Sequence, residues 1–152
     1  MGAKQFDYYV FIDYSENLIG YSIIEKDKLN DILPKLTRFR HYRKAGDKKA
    51  YLKNIKKTLV RENIHSYFLE LKIKEMRKNM DIYIDVLDFL KKHENCLVFI
   101  SVDNGQYTAF RKMIDIVDGN VVVKQESELI EGSQEYKISL VLDNMLNIER
   151  LK

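Results

Sequence analysis

The chain has 152 residues, 45% of them hydrophobic and 32% charged, with a net charge of +3. Such a length fits a single domain, expected to span residues 1–152, and buries roughly two-thirds of the surface that the unfolded chain exposes, so no staples are needed. The one cysteine excludes an internal disulfide and no apolar run approaches the roughly 20 residues of a membrane span; with no signal-peptide h-region, a cytoplasmic protein without a membrane partner is predicted.

Phe6 to Asp13 (FDYYVFID) is an apolar, aromatic run ending in an acid, the pattern of a central strand. Ser15-Glu16-Asn17 is turn chemistry, and Leu18 to Glu25 (LIGYSIIE) is the antiparallel partner, because so short a connection cannot join parallel neighbours. The only proline, Pro34, marks a loop. Residues 50–61 carry Tyr51, Leu52, Ile55, Leu59 and Val60 at helical spacing with lysines on the other face. From Tyr67 to Ile73 (YFLELKI) the pattern alternates and predicts a third strand. Met76, Met80, Tyr83, Ile84, Leu87 and Leu90 then step by three and four, a helix to about Lys92. Cys96 to Val102 is continuously apolar, as in a strand covered on both faces, with Cys96 a buried thiol. A helix with Phe110, Met113, Ile114 and Val117 on one face follows Asp103-Asn104-Gly105 and is closed by Gly119 as C-cap. Asn120 to Lys124 is a short fifth strand, Gln125 to Tyr136 a polar acidic loop, and Lys137 to Leu151 the last helix, with a core stripe of Ile138, Val141, Leu142, Met145 and Ile148. The predicted class is α/β, a mixed five-stranded sheet flanked by helices, with a basic helical insertion at about residues 35–63 between strands two and three.

Charge is concentrated in that insertion. Eleven Lys and Arg against the single acid Asp47 between Lys35 and Arg61 make +10, leaving −7 for the rest of the chain. Such a split predicts a polyanion partner, nucleic acid, gripped by Arg38, Arg40, Arg43, Lys44, Lys48, Lys49, Lys53, Lys56 and Lys57. The plain alternative is a solvated, self-repelling helix and loop. Interleaved Phe39, His41, Tyr42 and Tyr51 could stack on unpaired bases.

Two acids fall at strand ends, Asp13 and Asp103. Strands one and four are plausible parallel neighbours, and ligands of open α/β sheets bind at the carboxyl ends of such strands. Adjacent carboxylates repel unless a cation or proton separates them, and hard cations such as Mg²⁺ take oxygen ligands. Singly, each Asp reads more simply as a turn or capping residue, Asp103 above all because a helix follows it. Glu70, mid-strand on the face opposite Tyr67, Leu69 and Leu71, and Asp143, one step off the last helix's stripe, complete a more specific order. Neither a Walker nor a GxGxxG loop occurs, no Gly-x-Ser-x-Gly elbow occurs, and His41, His65 and His93 with one Cys make no zinc-ligand spacing.

Phe11-Ile12-Asp13-Tyr14-Ser15-Glu16-Asn17 resembles the opening of an uncharacterised ribonuclease-H-like family whose first strand reads hydrophobic-Ile-Asp-Glu-Ser-Gly-Asn. FLELK around Glu70 is similar to that family's acidic third-strand motif, Val102-Asp103 to its fourth-strand aspartate, and Ser139 to Asp143 (SLVLD) to its last-helix motif ending in Ala-Asp. Tyr14 and Glu16 replace the family's Glu and Gly, and Leu142 its Ala. The resemblance implies a ribonuclease-H-like fold and a two-metal acidic site of Asp13, Glu70, Asp103 and Asp143. The leading expectation is a nuclease dependent on Mg²⁺ or Mn²⁺ and acting on nucleic acid. The rivals are a non-catalytic nucleic-acid-binding module on the same fold and a protein-interaction domain. Glu70 discriminates: pointing away from Asp13 and Asp103, it takes most of the support from catalysis.

Overall fold

The computed structural model describes residues 6–117 and 121–152. The sheet has five strands, β1 (Tyr8–Ser15), β2 (Leu18–Glu25), β3 (Glu70–Glu75), β4 (Cys96–Ile100) and β5 (Val122–Gln125), in the order β3-β2-β1-β4-β5. β1, β2 and β3 run antiparallel in a meander, while β4 and β5 lie parallel to β1 and to each other. The hairpin turn is tight because Glu16 takes a left-handed conformation, φ 52°. A position of that kind suits glycine, the residue the resembling family places there. The helices are α1 (Leu29–Ile32), α2 (Lys48–Arg61), α3 (Asn79–Lys92), α4 (Asn104–Val117) and α5 (Gln134–Arg150). Among the described residues no helix is long and apolar enough to cross a membrane.

Alternation along the central strands splits the core into two layers. Tyr9 and Phe11 face α5, while Val10 and Ile12 face α3 and α4. Paired residues of neighbouring strands share a face, so the register of β1 also fixes the facing of β2 and β3. β4 is buried throughout and carries the buried Cys96.

Several boundaries differ from the pattern-based expectation, each for a local reason. β1 continues past Asp13 to Ser15, because Tyr14 and Ser15 still pair with Ile19 and Leu18. Ile64–Tyr67 is a 3₁₀ turn and β3 starts only at Glu70: the alternation read from Tyr67 onward is real, but pairing with β2 begins at Ile23. Around Pro34 the chain forms α1 and a 3₁₀ turn, burying Leu29, Ile32 and Leu36, where a loop was expected. β5 reaches Gln125, one residue beyond the expected Lys124. Gly119, expected as a C-cap, and Asn120 lie outside the described residues.

α5 is buried on more than one side: Leu140, Asp143, Asn144, Leu146 and Asn147 are buried beside Ile138, Val141 and Leu142, whereas Met145 and Ile148 are half-buried. The reason is the basic insertion, which covers the side of α5 turned away from the sheet with Phe39 and Ile55. α2 is tied in by the Asp47 carboxylate accepting from Ala50 N–H at 3.1 Å, and α5 by Ser133 Oγ accepting from Tyr136 N–H at 3.2 Å.

Candidate acidic cleft

β4 stops pairing with β1 at Ile100, opposite Ile12, and Ser101 N–H makes a last bond to Ile12 C=O at 2.8 Å. Asp13 is thus the first β1 residue past the point where β4 turns away. Its side chain points to the α5 face, in phase with Phe11, and meets Asp143 on α5. Gly20 lies opposite Asp13 on β2. A Cβ there would fall 2.9 Å from Lys72 C=O and 3.1 Å from Leu142 Cδ1, so only glycine lets α5 approach this closely. Glu126, immediately after β5, is the third acid. Together the ends of β1, β4 and β5 with α5 enclose a cleft of about 430 Å³, lined by Asp13, Glu126 and Asp143 and rimmed by Arg43 and Arg150.

The insertion folds back over these acids. Tyr42 N–H donates to Asp143 Oδ2 at 2.9 Å. His41 Nδ1 accepts from Arg43 N–H, and its Nε2 faces Asp143 Oδ1 at 3.5 Å and Glu126 Oε1 at 3.7 Å. The Ser101 hydroxyl donates to Glu126. The strap is anchored by Tyr51, whose hydroxyl accepts from Arg40 N–H (2.7 Å) and donates to Arg40 C=O (2.8 Å), and by Asn144 Nδ2 donating to the same carbonyl. Arg150 bridges the two sides of the cleft, donating to Ser15 Oγ at 3.0 Å and to Asn147 Oδ1 at 2.9 Å.

The three carboxyls are not equivalent. Burial, then the charges of Asp143 and Glu126, push Asp13 up to about 8. Burial likewise raises Asp143, against the pull of the Tyr42 amide. Glu126 is held below its ordinary value chiefly by its pairing with His41, and His41 is raised chiefly by the same contact. Shifted groups gathered in a cleft make this the candidate functional site.

Asp13 and Asp143 come together as expected; Glu70 and Asp103 do not join them. Glu70 pairs with Ile23, whose side chain faces α3, so the β2–β3 register puts Glu70 on the opposite side of the sheet from Asp13. There it is exposed near Tyr21 and Asp85. Asp103 caps α4, its carboxylate accepting from Gln106 N–H and Gln106 Nε2, both at 2.9 Å, and these bonds hold it below the usual carboxylate range. Glu126 was missed because the fifth strand was ended at Lys124. Extended to Gln125, it places an acid at the carboxyl end of a strand parallel to β1, the criterion that singled out Asp13. His41 carried no such signal, since its role depends on how the insertion folds back.

The insertion's basic residues fall into two groups. Arg43 lines the cleft, Lys44 pairs with Glu131 at 3.0 Å, and Lys48 donates to Ala45 C=O at 2.9 Å. Arg38 and Arg40 are exposed, as are Lys49, Lys53, Lys56 and Lys57 along the outer side of α2. Phe39 is buried and Tyr51 holds the strap, so neither is free to stack on a base.

No protein-family model matches the chain, and no curated protein does. One similar solved structure is the PCNA:RNase HII complex from Archaeoglobus fulgidus, 8% identical over 97% of this chain and 73% of that one, with a TM-score of 0.49. The ribonuclease-H-like fold is carried here by the strand order and directions themselves.

The donor chemistry of the acidic trio, oxygen throughout, suits Mg²⁺ or Mn²⁺. Among the described residues no three His, Cys, Asp or Glu side chains already stand together as a metal-holding group. Two carboxylates are enough for Mg²⁺, which keeps waters and shares its remaining positions with substrate phosphate.

Proposed function

We propose that the protein is a divalent-metal-dependent phosphodiesterase acting on nucleic acid, a member of the ribonuclease-H-like family that its first strand resembles, with Asp13, Asp143 and Glu126 as its reaction centre. The observation that carries this reading is the convergence of three carboxyls from separate elements, with Asp13 pushed up to about 8 by burial and by the charges of Asp143 and Glu126. Glu70 lies across the sheet, which takes away most of the support that the four-acid order gave to catalysis; the reading rests instead on Asp13, Asp143 and Glu126.

Mg²⁺ or Mn²⁺, when bound, supplies charge neutralisation for the phosphate and lowers the pKa of a coordinated water. Asp13 and Asp143 would hold it. Glu126, kept beside His41, orients the attacking water through its carboxylate. His41, raised above its ordinary value, holds a proton near the leaving oxygen. Arg43 and Arg150 at the rim draw the substrate's phosphates in, with Arg150 already oriented by Ser15 and Asn147.

One observation favours the rival, a non-catalytic nucleic-acid-binding module: His41 and the Tyr42 amide already engage the acids, as an internal substitute for a cation. Incubation with labelled single- and double-stranded DNA and RNA, in Mn²⁺, Mg²⁺ or chelator, separates the two. Metal-dependent cleavage of at least one substrate, abolished by Asp13→Asn, is expected. Binding without cleavage of any of them, unchanged by chelator, refutes the enzyme and leaves the module.

A further inference from the structure

α2 has two faces of different character. Leu52, Ile55 and Thr58 are buried and pin the helix against the body of the protein. At 100° per residue, Lys49, Lys53, Lys56 and Lys57 fall within a stripe about 100° wide on the opposite side, and all four are exposed. No acid interrupts it: Asp47 is the N-cap, and Glu62, past the C-terminus, pairs with Lys35 and Arg61. Among the described residues none of the four lysines has an ion-pair partner, whereas Lys26, Lys35, Lys44, Lys72, Lys74 and Lys152 each face a carboxylate.

The helix that carries this stripe begins beside the cleft. Lys48 donates to Arg43 C=O and Ala45 C=O and lies over the Tyr42 ring, and Tyr42 and Arg43 line the cleft. From there the stripe runs from Lys49 to Lys57, about 12 Å along the helix axis. That length covers roughly three to four phosphates of a strand rising 3.4 Å per residue. Four like charges at spacings of three and four along one helix repel each other and weaken it. A phosphate backbone laid along them removes that repulsion.

We propose that the outer face of α2 is a track for the sugar–phosphate backbone of a nucleic-acid polymer whose scissile region lies in the cleft. The substrate is then a polymer extending several nucleotides past the acids, gripped without regard to sequence, and not a dinucleotide or a free nucleotide. The inference rests on the cleft being the phosphodiester site.

The test measures binding by fluorescence anisotropy, in chelator, to single-stranded oligonucleotides spanning roughly 4 to 16 nucleotides. Wild type is compared with a variant carrying Lys49→Ser, Lys53→Ser, Lys56→Ser and Lys57→Ser, and with the corresponding Lys→Arg variant. The wild-type affinity rises with length, and the Lys→Arg protein follows it. The Ser variant loses the length dependence, and its slope of log K against log salt flattens by roughly 3, about 0.7 per lost contact. A melting temperature at or above wild type shows that the Ser variant is folded. Length-independent wild-type binding, or an unchanged salt slope in the folded Ser variant, overturns the track. Length-dependent binding without any metal-dependent cleavage refutes the phosphodiesterase and with it the scissile end of the track, leaving only a backbone-binding face on α2.

Discussion

Asp13→Asn probes the cleft most directly, because the cost of the native charge can be worked from its environment. The folded-state pKa of Asp13 is about 8 against an unfolded value of 3.8. A carboxyl raised on folding contributes its full stability below the unfolded value and loses it as pH rises through the folded one. Between pH 5 and pH 8 the metal-free wild type therefore loses about 4 kcal/mol through this group, three units at 1.36 kcal/mol each. Asp13 is half-buried and open on one side to the cleft, and screening there reduces the figure to about 2 kcal/mol. For a protein of this size that is roughly 4–8 °C in melting temperature. In chelator, the lead of Asp13→Asn over wild type in melting temperature is expected to be larger at pH 8 than at pH 5 by that margin. Millimolar Mn²⁺ reverses the order at pH 8: a cation at a hundredfold excess over its dissociation constant adds about 2.7 kcal/mol to the wild type, and the Asn protein loses most of that rise. Scanning fluorimetry of two proteins in chelator and Mn²⁺ at two pH values suffices. A wild-type melting temperature indifferent to Mn²⁺ and Mg²⁺, with no gain from Asn at pH 8, refutes the argument that these carboxyls form a charged cation site.

Other substitutions test neighbouring parts of the site. Glu126→Gln removes the main cause of the raised His41 pKa, so the imidazole titration followed by NMR moves to lower pH; an unmoved titration excludes the Glu126–His41 contact. Glu126 itself is depressed, so its share of stability is present above the ordinary Glu value and lost as pH falls through the folded one. Gly20→Ala forces α5 from the sheet and costs about 1–3 kcal/mol in chemical denaturation, weakening the Mn²⁺-dependent rise in melting temperature with it. Asp103→Ala costs about 1 kcal/mol as a lost cap while leaving that rise intact, and Glu70→Gln leaves it intact at almost no cost. Loss of the rise in either returns the four-acid site to consideration.

What could be read in the chain follows from the range of each interaction. The amphipathic period of α3, the all-apolar run of β4 and the hairpin of β1 with β2 are local patterns, and their type and order were legible. So was Asp13, because an acid that ends an apolar strand run is visible in a window of eight residues. Glu126 was nearly legible, lost to one residue of uncertainty in where β5 ends. Glu70 could not be excluded from sequence, because its facing depends on a strand register set by pairing between β2 and β3 across more than forty positions.

Sequence alone determined the class of fold, the concentration of positive charge between Lys35 and Arg61, and the alternation that sends Asp13 and Phe11 to one face. Tertiary structure alone decided which acids meet. Side-chain facing in a sheet is inherited through backbone hydrogen bonds from strand to strand, so Glu70 was turned to α3 and Asp13 to α5. Tertiary structure also divided the basic segment, laying His41 and Arg43 over the acids and leaving the α2 lysines in water. Nothing within the segment encodes that division, because its cause is the burial of Phe39, Leu52 and Ile55 in a core built from distant parts of the chain.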